Sequence, residues 1–302
     1  MKHLKFQKAT MTKAEIQPFM MTVLEQNGWM NIASNESAEG YIYYSKGTSG
    51  EDDIYIQFRN GYNGQNGSFT TGNASFFDLR SMSSYEPSAT GGTGTSVPSN
   101  STTNYFYATV ASGNGDTTYG DAEYDVYYRC TPNNLSIVFA HKFATTFYIV
   151  GRMDNPLNKV SKNTGNICYG SHNARGFYPL AFYGVADRAI SNSALQSILI
   201  WTPIYGSLEQ NGTKLNLLEL GTYTALEGIR DRLEGFYGLS ESSNLVVSNG
   251  DKIIDDVGNE YTIFEVSVLP SVGQYLFSAS STGSTSGNPI RHIAICTRLS
   301  GE

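Results

Sequence analysis

The hydrophobic pattern of the chain changes period once, near residue 29. Before that point Ile16, Phe19, Met20, Val23 and Leu24 recur at the i, i+3, i+4, i+7, i+8 spacing of an amphipathic helix, and Asn27-Gly28 supplies a C-terminal stop. Thr12 and Glu15 have the spacing of a capping box. A helix begun there would carry Pro18 beyond its first turn, where the ring clashes with the Ala14 carbonyl. The spacing therefore predicts a helix that starts near Gln17, with Pro18 at its first position.

After Trp29 the period is two. Residues 41–45 and 53–59 read as strands joined by the loop KGTSGED, and in the second of them Ile54, Ile56 and Phe58 share one face. Three more apolar or alternating runs, 122–130, 134–141 and 144–151, follow one another around a turn at Pro132-Asn133-Asn134, which predicts an antiparallel meander. Residues 158–176 read as loop, 226–233 as a short helix, and 194–205 as an apolar segment interrupted by Pro203. Residues 244–268 read as short strands broken at Asn249-Gly250 and Gly258-Asn259, and 290–299 as a terminal strand. The tract 88–104, SATGGTGTSVPSNSTTN, holds too little apolar surface to offset its ordering entropy and predicts an exposed, mobile loop; 278–288 is similar. The expected fold is α+β and predominantly antiparallel β. An N-terminal amphipathic helix packs on a β-meander within residues 1–205, and a smaller β-rich region with a short helix and a terminal strand occupies 206–302.

Composition sharpens this picture. Only 16% of the 302 residues are charged, while 21 Tyr and 15 Phe stand among many small polar residues. Aromatic and β-branched side chains suit a pleated surface, and Ser, Asn and Gly suit its turns. The net charge of -7 argues against general or sequence-specific nucleic-acid binding, which needs a basic face. No run of about 18 apolar residues and no apolar leader segment occurs, so neither a membrane span nor a signal peptide is expected, and folding in a cytosol is implied. Cys130, Cys168 and Cys296 are odd in number and far apart, as reduced structural thiols would be.

Candidate chemistry is sparse. His3, His141, His172 and His292 form no metal-ligand spacing, and His172, in the polar GSHNARG segment, lacks a placed nucleophile or acid. Gly91, Gly92 and Gly94 lack the Lys-Ser/Thr of a phosphate loop. Asp251, Asp255, Asp256 and Glu260 lack the calcium-loop spacing and read as acidic turn residues. Glu51, Asp52 and Asp53 stand at the entrance to a strand with no His or Cys nearby; they read as a hydrated turn that discourages edge-to-edge pairing, so their loss should cost little. FRNGYNGQNGSF, residues 58–69, has the Tyr, Asn and Gly content of a sugar-binding edge and equally that of an ordinary β-protein surface. No catalytic, cofactor-binding or metal residue is assigned.

Taken in order, the N-terminal helix ending in GW, the segment SGEDDIYIQFR, the strand pair VYYRC...NNLSIVFAHKFATTFYIVGRMDNP and the late LEGIRDRLEGFYGLSESSNLVVSNGDKIIDDVGNEYTIFEV resemble a family of tailed-bacteriophage virion structural proteins encoded among tail and neck genes. The resemblance implies a non-enzymatic neck, collar or tail-terminator component without cofactors. It would be assembled in the host cytoplasm as a ring of identical subunits at the head-tail junction, would contact other phage neck or tail proteins, and would reside in the virion. The alternative is a baseplate or tail-surface protein with carbohydrate-binding capacity.

Overall fold

A computed structural model describes residues 4–35, 40–60, 62–63, 68–69, 76–86, 93–97, 106–109, 123–141, 144–152, 166–170, 198–210, 213–224, 228–239, 247–265 and 292–302. Among these, antiparallel β-sheets dominate and a single helix is present. The first half runs β1 (Gln7–Thr12), α1 (Lys13–Gln26), β2 (Met30–Asn35), β3 (Gly40–Ser45), β4 (Ile54–Asn60), β5 (Tyr62–Asn63), β6 (Ser68–Phe69), β7 (Phe76–Glu86), β8 (Thr93–Val97) and β9 (Phe106–Thr109). It continues with β10 (Glu123–Cys130), β11 (Asn134–His141), β12 (Ala144–Arg152) and β13 (Asn166–Gly170). The last part holds β14 (Ile198–Gln210), β15 (Thr213–Thr224), β16 (Gly228–Leu239), β17 (Lys252–Ile254), β18 (Glu260–Glu265) and β19 (His292–Arg298).

These strands form three main sheets. The central sheet has the order β1-β10-β11-β12-β13, the N-terminal sheet β2-β3-β4-β7-β8 with β9 also on β7, and the C-terminal sheet β14-β15-β16-β19-β18-β17. A small β5-β6 ladder stands apart.

The expected meander is β10 to β12, and its pattern is not half-buried but apolar on both faces. Register places Leu135, Ile137, Tyr148 and Val150 on one face and Val138, Phe147 and Ile149 on the other, all fully buried. The first face packs with Ile16, Met20, Val23 and Leu24 of α1, with Trp29, and with Tyr43, Ile54 and Ile56 of the N-terminal sheet. Phe19 adds an edge-on contact with Tyr128 at 5.1 Å. The second face meets the C-terminal sheet through Phe147–Phe236 at 5.2 Å and Tyr127–Phe264 at 5.1 Å. At roughly 1.5–3 kcal/mol per fully buried large apolar side chain, these two interfaces dominate the stability of the fold.

Several expectations need correcting. Helix α1 begins at Lys13, not near Gln17: the Glu15 carboxylate accepts from the Thr12 backbone N–H (2.8 Å) and hydroxyl (2.7 Å), so the capping box forms and Pro18 lies inside the helix. The cost of that proline is offset by the buried stripe that the extra turn helps to seat. The stop at Asn27-Gly28 is as expected, with Gly28 at φ +86. Residues preceding the helix form β1, and of the helix expected at 226–233, residues 228–233 run instead in β16, where pairing with β15 overrides local helix preference, while 226–227 lie outside the described residues. Strand β13 lies inside the 158–176 segment expected to be loop. Within 88–104, residues Thr93–Val97 run as β8 beside β7, and the rest lies outside the described residues. Strand β14 spans the 205/206 position, and the C-terminal sheet takes its strands from residue 198 onward.

Two hydrogen-bonded ties join the layers. The N-terminal segment crosses from one sheet to the next: Phe6 N–H donates to the Cys296 carbonyl at 2.8 Å before β1 joins the central sheet. Phe6 is thereby buried edge-on against Phe236, 5.4 Å away, above Gly235, where a Cβ would come within 2.9 Å of its ring. On the other side, the Ser81 hydroxyl of β7 donates to the Gly151 carbonyl (2.9 Å) and accepts from its N–H (3.0 Å). Gly151 itself has φ +114, and a side chain there would collide with the Asn133 carbonyl oxygen. Both strain and collision oppose any other residue, so Gly151→Ala should cost about 3 kcal/mol or more in urea unfolding. A loss below about 1 kcal/mol would show that the β11–β12 junction is not packed as described.

Candidate functional site

The turn between β10 and β11 collects polar contacts from distant segments. Thr131 Oγ1 accepts from the N–H groups of Asn133 and Asn134, both at 3.1 Å, closing the turn. Trp29 Nε1–H donates to the Thr131 carbonyl (2.8 Å), the Ser45 hydroxyl to the Pro132 carbonyl, and Thr48 N–H to Asn133 Oδ1 (2.7 Å). These bonds fix the 46–53 loop, and with it the three acids. Asp52 is not a hydrated turn residue: it forms an ion pair with Arg152 of β12, is 23% exposed, and accepts from the Ser49 hydroxyl at 2.9 Å. Asp53 accepts from the Tyr44 hydroxyl at 2.8 Å, and burial together with this carboxylate pushes the Tyr44 phenol up to about 12. Glu51 is exposed and contributes its backbone N–H to the Ser49 hydroxyl.

In the second acidic cluster Asp255 is bonded inward, while Asp256 is exposed. Asp255 accepts from the N–H groups of Val257 (3.1 Å) and Asn259 (2.8 Å), from the Asn259 amide (2.8 Å) and from the Tyr261 hydroxyl (3.0 Å). Burial works to raise this carboxyl, but the bonds from Asn259, Tyr261 and Val257 outweigh it and hold Asp255 below the usual carboxylate range. It locks the β17–β18 hairpin. Among the described residues, no group of three or more His, Cys, Asp or Glu is placed to hold a metal ion.

The arrangement with the most binding character lies elsewhere, at the mouth of the sandwich between the central and C-terminal sheets. An open groove of about 700 Å³ runs between β1 and the β17–β19 end, with Lys5, Lys8, Lys252 and Arg298 as its cations and Glu260 and Glu302 as its carboxylates. Its wall grades outward from the Tyr127–Phe264 contact, through the mutually bonded hydroxyls of Thr262 and Thr297 (3.0 Å), to the ionic rim. Glu260, only 13% exposed, is shared by Lys252 (2.8 Å) and Arg298 (3.6 Å), and its pKa is lowered chiefly by the Lys252 hydrogen bond. Lys8 pairs with Asp125 at 2.8 Å, which raises its pKa, and its ammonium lies 5.5 Å from the centre of the Tyr127 ring. Lys5 and Glu302 join the two ends of the described chain in a further ion pair.

No protein-family model matches this chain, and comparison with curated proteins gives no match. The site is therefore read from its residues alone. Sequence reasoning missed the groove because its cations come from residues 5–8, 252 and 298, which no local motif connects. Cys130 and Cys296 are free thiols, pushed by burial to about 12 and about 11 respectively, so both are protonated at neutral pH. His292 is buried on β19. The side chains of His141 and Cys168 lie outside the described set, as do His3, His172, Gly91 and Gly92; of the 58–69 stretch, side-chain surroundings are likewise outside it. Among the described residues, no helix is long and apolar enough to cross a membrane.

Two outcomes follow for the acids. Asp52→Asn should lower stability by about 2 kcal/mol, because it strands a partly buried Arg152, whereas Glu51→Asn should change it by less than about 0.5 kcal/mol. Equal effects in chemical unfolding would contradict the ion pair. Asp255 and Glu260 have folded pKa values below their unfolded ones, so their stabilisation is complete above the unfolded value near 4 and is lost as pH falls through the folded values. Melting temperature should thus fall on acidification below pH about 4, and less steeply in an Asp255→Asn, Glu260→Gln variant. Parallel curves for the two proteins would exclude these groups as the source.

Proposed function

We propose that this α+β chain, with its helix packed on a β-meander and a second β-rich region, is a bacteriophage virion structural protein. The role that fits best is a ring-forming neck, collar or tail-terminator component at the head-tail junction, assembled in the host cytoplasm from identical subunits and contacting other neck or tail proteins.

The observation that carries this reading is where apolar surface is left uncovered. Among the described residues, the large exposed hydrophobic side chains occur in two places: Met30 (51%) and Ile32 on β2, an edge of the N-terminal sheet, and Ile254 (54%) and Val257 (66%) at β17, an edge of the C-terminal sheet. Apolar side chains left in water at sheet edges gain free energy when a neighbouring surface covers them. Two unlike spots on different sheets suit a head-to-tail contact, the kind that closes into a ring when the rotation between subunits allows. The order of sequence segments that resembles phage neck and tail proteins points to the same role, and Asp52 and Asp255 are committed to bonds within the fold.

Sedimentation and negative-stain imaging of the purified protein test this reading. Closed rings of uniform subunit number are expected. Monomers that bind glycans would replace it with the baseplate or tail-surface role, and turnover of a polysaccharide would overturn a structural role altogether.

A further inference from the structure

We infer that the groove at the sandwich mouth receives the 49–53 turn of a second copy of this chain, with Glu51 of one subunit seated between Lys252 and Arg298 of the next. This rests on the ring reading above and names its interface.

The turn is a fixed acidic projection. Gly47 (φ +67) and Gly50 (φ +75), the Asn133 bond to Thr48 and the Asp52–Arg152 pair hold its backbone to the body, so Glu51 is presented without the entropy cost of ordering a loose loop. Around it lies an apolar rim. Met30 pairs with Tyr44 and Tyr44 with Tyr55 across the N-terminal sheet, so the three share the outer face; the two tyrosine rings stand 5.1 Å apart, partly exposed, beside Asp53.

The groove has the complementary surface. Glu260 is one carboxylate between two cations, which leaves a positive excess at Lys252 and Arg298, 62% and 52% exposed. Lys252 and Ile254 lie on the strand face opposite buried Ile253, which puts the exposed Ile254 beside those cations. The groove and the turn belong to opposite sides of the central sheet, since the N-terminal sheet covers one of its faces and the C-terminal sheet the other. Projection and socket on opposite sides of one molecule generate a head-to-tail chain of copies. The interleaved carboxylates Glu260 and Glu302 argue for a peptide of mixed character over a uniformly charged polyanion such as nucleic acid.

The test uses the whole chain. Glu51→Lys and Arg298→Glu should each weaken self-association by about 10-fold or more, Glu51→Lys with a melting temperature close to wild type because Glu51 is exposed, and the double variant, in which the charges are exchanged, should recover association. A carbodiimide should also couple Glu51 of one copy to Lys252 of another. Rings that persist unchanged in both single variants, with no such cross-link, would overturn the docking and leave the ring reading standing. Cross-linked subunits in open, non-closing assemblies would uphold the docking and overturn the ring. Monomers without the cross-link would overturn both, and displacement of the second copy by a single-stranded oligonucleotide in the groove would assign the groove to a different partner.

Discussion

The burial of both faces of the β10–β12 meander is the constraint on which the remaining structure depends. A strand pair carrying Leu135, Ile137, Tyr148 and Val150 on one side and Val138, Phe147 and Ile149 on the other is unstable with either side in water. Each face therefore recruits its own cover. Helix α1 and the N-terminal sheet close one side, and β16, β18 and β19 close the other. Among the described residues, the large exposed apolar side chains lie on the edge strand β2 and at the β17 edge, and these are where the candidate contact surfaces arise.

The polar interactions serve that layering. The β10–β11 turn acts as an anchor for segments nearly a hundred residues away in sequence, through Trp29, Ser45 and Thr48, and the Asp52–Arg152 pair extends the same attachment. On the opposite face, Phe6 and the backbone bond to Cys296 stitch the N-terminus into the C-terminal sheet. Where the two sheets part, core gives way to hydroxyls and then to ion pairs, and the groove is the geometric result. A surface produced by the divergence of packed layers needs no dedicated sequence motif.

The sequence was most legible where a local pattern and the tertiary environment agree. The helical stripe from Ile16 to Leu24, the stop at Gly28, the 41–59 hairpin and the β17–β18 hairpin with its glycines all follow from period and turn chemistry. It misled where tertiary pairing decides: GIRDRLEG has helix-forming residues yet runs in β16, and Pro18 is tolerated inside α1 because the capping box and the buried stripe outweigh it. Gln57 shows a subtler limit, since alternation marks it as outward while it is only 6% exposed, on a face where Ile42 and Met82 are also buried. The groove was not legible at all, because Lys8, Lys252 and Arg298 meet only once the central and C-terminal sheets have packed together.

Native-state hydrogen exchange tests the layered account most directly, since it reads the stability of each sheet separately in the intact chain. The account predicts that amides of β11 and β12, paired on both sides and covered on both faces, exchange only by global unfolding and are the slowest in the molecule. Faster exchange there than in the edge strands β2 or β17 would contradict it.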